Sequence, residues 1–302
     1  MHSAPSSPLV LGAPEVAWRA QSQLGEGLCW SPQRQAIYWV DILGQRLMRL
    51  DWASREWREW RFDETISAVA ERVGGPGLVV SLRRRLALFD PDTGRLDTLP
   101  EAEPEHPGNR FNDGKCDAQG RFWVGSMDTA CRAQTGSLYR VTDAAIDCVW
   151  PDNFPVNNGP AWSADGRTMW VNDTARNRIH RGDFDSATGA LSNAAVWLRF
   201  APGDGYPDGM TTDRDGRLWI AHWGGRCVTC HAPDDGRELA RIPLPTTNIT
   251  NVAFGGPELS TLFITSATSE LAPEQLAAES LAGALFAVET DAIGCAPHRY
   301  AG

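Results

Sequence analysis

Six positions of this chain carry side chains that could converge on one piece of chemistry: Glu26, Ser67, Asn112, Asn158, Asp208 and Asn251. From 26 to 67, 112, 158, 208 and 251 the intervals are 41, 45, 46, 50 and 43 residues. Five of the six are carboxylates or amides, where a purely structural repeat would place small or apolar residues. Two carboxylates with one or more amide carbonyls form an oxygen-only donor set, which favours a hard divalent ion such as Ca2+, Mg2+ or Mn2+. Zn2+ and Fe2+ are also compatible with such donors. Glu26 and Asp208 both carry formal charge, and burying them together is expensive without a cation. One other arrangement answers the same pattern: polar side chains bridging through hydrogen bonds around a water-filled channel.

The elements that must hold these side chains follow from the units they open. Glu26-Gly-Leu-Cys-Trp-Ser-Pro, Asn112-Asp-Gly-Lys-Cys-Asp-Ala, Asn158-Gly-Pro-Ala-Trp-Ser-Ala and Asp208-Gly-Met-Thr-Thr-Asp-Arg align without gaps. Each carries Ser or Asp five residues on (Ser31, Asp117, Ser163, Asp213), then a polar turn, then a β-rich run with a Trp at 39, 123, 170 or 219. Ser67 and Asn251 open two weaker copies, the last with Phe263 in the Trp slot. A four-stranded propeller blade is about 40–50 residues long. Turns such as Asp90-Pro-Asp-Thr-Gly94 separate the later strands of a unit, since Pro presets φ and Gly accepts φ > 0. The fold class expected is all-β: a six-bladed β-propeller of four-stranded blades around a central channel, one domain over 1–302. Residues 1–13 are expected to be a flexible N-terminal segment. Pro14 to Arg19 should close the ring by joining the last blade, and Pro273 to Leu281 forms at most a short helix in a loop. In a propeller the innermost strand of every blade runs along the channel, so the same repeat position from each blade meets near one mouth.

The 302 residues hold 28 Lys+Arg against 38 Asp+Glu, a net charge of −10, and Lys115 is the one lysine. An acidic chain with scattered Arg argues against nucleic acid or an anionic membrane as partner. No stretch approaches the roughly 18–20 apolar residues of a membrane span. Met1 to Pro14 lacks the basic and apolar regions of a signal peptide. Seven Cys are an odd number without framework spacing, which suits reduced thiols. These features describe a soluble cytoplasmic protein, with a monomer as the default.

Five ordered motifs then carry a resemblance. Leu24-Gly-Glu26-Gly, Arg110-Phe-Asn112-Asp-Gly-Lys115, Asn158-Gly-Pro-Ala-Trp-Ser163, Tyr206-Pro-Asp208-Gly-Met210 and Phe254-Gly-Gly256 cover nearly the whole chain. They resemble the gluconolactonase/regucalcin (senescence marker protein) family of sugar lactonases. The resemblance implies a six-bladed propeller with one catalytic divalent metal that hydrolyses an aldono-1,4- or 1,5-lactone to the aldonic acid. Carried over by position, the metal ligands are Glu26, Asn158 and Asp208, the same three that the repeat picks out. Arg110 and Asn112 become the substrate-binding pair, and Asp208 also the general base. Asp208 would take a proton from the attacking water, with Lewis-acid help from the ion at the carbonyl oxygen. In one place the chain departs from the pattern. An acidic substrate contact of the regucalcin branch, shortly after Gly125-Ser126-Met127, aligns best with Ala130, which leaves the identity of the sugar open. Two other function classes share the fold: a calcium-dependent propeller esterase or arylesterase, and a non-catalytic metal-binding propeller.

Other polar residues admit both a functional and a structural explanation. Asp128, on the loop after Gly-Ser-Met, is a candidate contact for substrate hydroxyls. His222, near the end of a second strand, either lines the substrate cavity or is a hydrogen-bonded structural histidine. His106 reads as a loop residue, Asn251 as a support behind the metal ligands, and Arg83-Arg84-Arg85 as a solvated edge. Cys227-Val-Thr-Cys230-His231 matches a haem-attachment pattern, but residues i and i+3 of a strand face opposite sides, so haem is not expected. Lys115, three residues beyond Asn112, is expected to turn away from the channel for the same reason. The Trp residues of the second strands are read as packing between blades.

Overall fold

The computed structural model describes residues 9–75, 77–142 and 145–302. Six four-stranded antiparallel sheets form the ring of a six-bladed β-propeller. The innermost strands are Gly25–Ser31, Ala68–Glu71, Asn109–Cys116, Asn157–Trp162, Tyr206–Thr212 and Asn248–Gly255, in blades 1 to 6. Glu15–Trp18 is the outermost strand of blade 6, paired antiparallel with Leu285–Glu289, so the N-terminal strand does close the ring. Residues 1–8 of the segment expected to be flexible lie outside the described residues. Residues 9–13 depart from that expectation: Val10 and Gly12 hydrogen-bond to Asp291 and Glu289 of blade 6. A six-residue helix, Pro273–Ala278, sits in the long loop of blade 6. Among the described residues no helix is long and apolar enough to cross a membrane.

Packing lies between blades rather than within one central core. Trp39, Trp123, Trp170, Trp219 and Phe263 are all fully buried in the second-strand slot. Trp123 meets Met169 and Val171 of blade 4, Trp170 meets Met210 and Ile220 of blade 5, and Trp219 meets Phe254 of blade 6. Full burial of a large apolar side chain contributes roughly 1.5–3 kcal/mol, so a repeated slot of this size glues each blade to the next.

The second polar position of the repeat proves to be structural. Asp117 Oδ2 accepts from Arg121 Nε (2.6 Å) and from the Trp123 indole (2.8 Å). Asp213 repeats the arrangement in blade 5 with Arg217 (2.7 Å) and Trp219 (2.9 Å). The Asp-x-x-Gly-Arg turn therefore ties the end of the inner strand to the core Trp. Asp117→Ala would leave the Arg121 guanidinium, held then only by Ser186 O and Ala187 O, without its counter-charge, and the Trp123 indole without its acceptor. An expected loss of about 3 kcal/mol, read as a lower urea midpoint, checks this role.

The chain past blade 6 crosses the end of the channel opposite Glu26 and Asp208. Arg214 N donates to Ile293 O and Gly294 N to Leu259 O, on blades 5 and 6. Tyr300 N then donates to Glu71 O, and Ala301 N to Gly120 O, on blades 2 and 3. Its residues 295–298 border a cavity of about 300 Å3 that touches none of Glu26, Asn112, Asn158, Asp208 or Asn251.

Candidate functional site

Five of the six inner strands break their pairing register at the ring position. The shifts fall between Glu26 and Cys29, Phe111 and Gly114, Asn158 and Ala161, Pro207 and Met210, and Ile249 and Val252. A bulge inserts an extra residue and re-aims the side chains beside it, so the repeat places one bulge per blade at the same channel mouth. Glycine makes the bend possible: Gly27 and Gly159 hold φ of +58° and +86°. The strand of blade 2 has no such shift, and Ser67 bonds to Ser81 of its own blade at 2.8 Å instead.

Hydrogen bonds join the ring side chains in sequence around the channel. Arg110 Nη1 donates to Asn112 Oδ1 (2.6 Å), and Asn112 Nδ2 to Asn158 Oδ1 (2.8 Å). Asn158 Nδ2 donates to Thr174 Oγ1 (2.9 Å), and Thr174 Oγ1 to Pro207 O (2.7 Å). Asn172 Nδ2 holds the main-chain oxygen of Asp208. On the other side Asn251 Nδ2 donates to Glu26 Oε2 at 2.8 Å. All of Glu26, Arg110, Asn112, Asn158, Asp208 and Asn251 are buried.

Burial sets the electrostatics. Desolvation, then the charge of Asp113, pushes the Glu26 carboxyl up to about 8. Asp208 is raised well above the carboxylate range by desolvation, then by Glu26 and Asp113. Burial also lowers Arg110, while the charges of Cys131, Glu26 and Asp208 oppose the fall. Carboxylates this reluctant to ionise suit a divalent cation, which would replace the lost hydration with charge. Asn158 adds a fixed amide oxygen with a free lone pair, since its nitrogen is anchored on Thr174. Asn251 Oδ1 is buried with no hydrogen-bond partner, one further oxygen left unsatisfied at the ring. Among the described residues no three His, Cys, Asp or Glu side chains form a metal cluster, for the donors here include amides. Glu26, Asn158 and Asp208 thus fit a hard ion.

Several expected residues are placed elsewhere. Asp128 accepts from the main-chain N–H groups of Ala130 (3.2 Å), Arg132 (3.0 Å) and Ala133 (2.8 Å). Those bonds hold its carboxyl below the usual range and make it the organiser of its own loop. His222 is fully buried against Phe200 of blade 4, its Nε2 2.7 Å from Thr229 Oγ1, so it is the structural histidine of the two readings. Burial lowers it to about 4. His106 sits on a loop beside Asp152 at 3.2 Å. Cys227 and Cys230 are buried on the third strand of blade 5.

Lys115 departs from its expected orientation. The bulge between Phe111 and Gly114 adds one residue, so the alternation that separates 112 from 115 is cancelled and both face the channel. Asp113 is a ring residue that the repeat position does not single out. Its signal lies one place further on, where Glu26, Asn158 and Asp208 are followed by Gly and Asn112 by Asp. Asn172 and Thr174 belong to a second strand and the turn after it, outside the repeated position altogether.

Comparison with known proteins agrees with this layout. The family model described as "SMP-30/Gluconolactonase/LRE-like region" matches residues 24–268. A 6-deoxy-6-sulfogluconolactonase of Pseudomonas putida is 35% identical over 94% of this chain and 97% of its own. An L-arabinolactonase of Azospirillum brasilense is 34% identical over 93% of each chain. A calcium-binding protein, regucalcin, of Agrobacterium tumefaciens superposes with a TM-score of 0.91 at 30% identity, over 96% of this chain and 97% of that one. The ring of blades, the bulged donors at one mouth and a match that spans all the ordered motifs have one reading: the chain belongs to the SMP-30/gluconolactonase/LRE-like family.

Proposed function

We propose that the protein is a metal-dependent sugar lactonase that opens an aldono-1,4- or 1,5-lactone to the aldonic acid, in cytoplasmic sugar catabolism. It would act as a single-domain monomer on a small-molecule substrate. The observation that carries the reading is the meeting of Glu26, Asn158 and Asp208 at one mouth beside the Arg110–Asn112 pair. The names of the two lactonase relatives support the substrate class, and the regucalcin neighbour supports a divalent ion.

A divalent ion held by Glu26, Asn158 and Asp208 would supply Lewis acidity toward the lactone carbonyl. The chain's own residues do the rest. Arg110 is held by Phe111 O and Asn112 Oδ1 through one nitrogen, which leaves its other donors for lactone oxygens. Asn112, locked between Arg110 and Asn158, orients the substrate at little entropic cost. Asp208 accepts a proton from the water that attacks the carbonyl carbon. As the ring C–O bond breaks, the same carboxyl returns a proton to the leaving oxygen, giving a hydroxy acid.

Acid release from pentono-, hexono- and aryl lactones, with Ca2+, Mg2+, Mn2+, Zn2+ or Fe2+ added back to chelator-treated protein, tests the proposal. Turnover of sugar lactones only with metal is expected. Preference for aryl esters would favour an arylesterase, and binding of metal without hydrolysis would leave a non-catalytic propeller.

A further inference from the structure

We propose that Lys115, acting with Asp113, is a positioning residue that locks the bulges carrying Asn112, Asn158 and Asp208 into one rigid donor frame. The proposal rests on the divalent-cation reading above and names a part of the machinery that touches neither metal nor lactone.

The geometry is a brace across the channel. Lys115 belongs to the inner strand of blade 3, yet its Nζ donates to Met210 O of blade 5 at 2.6 Å, passing blade 4. Met210 is two residues beyond Asp208 and closes the bulge on which Asp208 stands. Asp113 ties down the blade between. Its Oδ2 accepts from Gly159 N at 3.0 Å, directly after Asn158, and its Oδ1 from Gly114 N at 2.9 Å. Lys115 Nζ lies 3.6 Å from that same Asp113 Oδ2. One ion pair therefore touches the bulges of blades 3, 4 and 5, which supply Asn112, Asn158 and Asp208.

Neighbouring inner strands can settle their spacing by direct packing, but blades 3 and 5 are not neighbours. A long side chain reaching over blade 4 couples them directly. A lysine fits that task through its four-carbon stem and three donors on a compact charge. The pair also solves a charge problem. Asp113 is buried beside Glu26 and Asp208, and without a fixed cation it would be a third uncompensated carboxylate at the ring. Lys115 is partly exposed toward the cavity on the far side, so its ammonium keeps some hydration while it faces Asp113. In a chain whose other 27 Lys or Arg residues are arginine, the single lysine is the one that spans these three bulges.

The test is Mn2+ binding to the full chain, followed by calorimetry and by the electron paramagnetic resonance spectrum of the bound ion. Lys115→Met keeps most of the stem and removes the charge and the donors. It is expected to weaken Mn2+ at least tenfold and to change the spectrum of the saturated site. Lys115→Arg should recover part of the affinity. Asp113→Asn should weaken binding as well, and the double variant should lose no more than the worse single one, because the two act as a unit. Parental affinity and spectrum in Lys115→Met would overturn the proposal, as would full additivity of the pair. If Lys115→Met fails to fold, Asp113→Asn and Lys115→Arg decide by the same readouts. Failure of the unaltered protein to bind Mn2+ or Ca2+ would instead sink the cation reading, and this proposal with it.

Discussion

Asp208→Asn is expected to lower kcat for lactone hydrolysis by about 10^2–10^4-fold, the usual worth of a positioned acid–base group. The amide matches the carboxylate in shape, and Asn172 holds the main-chain oxygen of residue 208, so the strand should keep its course. What disappears is the proton acceptor, together with one charged donor to the cation. The two losses separate by titrating Mn2+ in the variant and measuring kcat at saturation. A deficit that persists at saturating metal belongs to the base. Recovery of the full rate at high metal would show that Asp208 is a ligand only, and would move proton transfer to another group. Arg110 and Asn112 keep their mutual hydrogen bond in the variant, so lactone KM should move far less than kcat.

Stripping the cation should make stability strongly dependent on pH. Glu26 titrates near 8 in the folded metal-free protein, against about 4.5 when exposed. Between those values the folded chain holds a proton that the unfolded chain has released, so metal-free stability falls as pH rises from about 4.5 to about 8. Asp208 shifts in the same direction and adds to the slope. Cation binding requires the ionised carboxylates, so affinity should rise through the same window. At a free ion concentration of about 100 times Kd the gain is about 2.7 kcal/mol. At roughly 2–4 °C per kcal/mol for a chain of this order of size, that is about 5–10 °C in Tm. Thermal melts across the range from mildly acidic to mildly alkaline pH, with and without Ca2+ or Mn2+, should show the two curves diverging with pH. Glu26→Gln should raise the metal-free midpoint at the alkaline end and remove the shift on adding metal. Parallel curves at every pH, or a Glu26→Gln variant no more stable than its parent, would contradict this account of the site.

The parts of the site legible in the sequence are those that repeat. Glu26, Asn112, Asn158, Asp208 and Asn251 stand out because six copies of a local pattern put one polar residue each at the same phase. A ring of blades then brings equal phases together. Trp39, Trp123, Trp170 and Trp219 announce the inter-blade packing by the same logic, and the antiparallel closure by Glu15–Trp18 follows from a strand left over ahead of the first unit. Asp117 and Asp213 are equally visible, although their partners Arg121, Trp123, Arg217 and Trp219 show that they serve the turn and not the chemistry.

What the sequence determined by itself is the period, hence the fold and the ring of donors, because strand alternation and turn chemistry are local properties that repetition amplifies. Tertiary structure decided everything that depends on phase within a bulge or on contact between distant segments. The register shift between Phe111 and Gly114 turned Lys115 into the channel against the simple alternation of a strand. Asp128 went to its own loop amides because three N–H groups of residues 130–133 curl back over it. His222 went to the interior because Phe200 of the preceding blade and Thr229 of the next strand close around it. The tail over the far end of the channel joins blades 5 and 6 to blades 2 and 3 through main-chain bonds, which no side-chain pattern encodes.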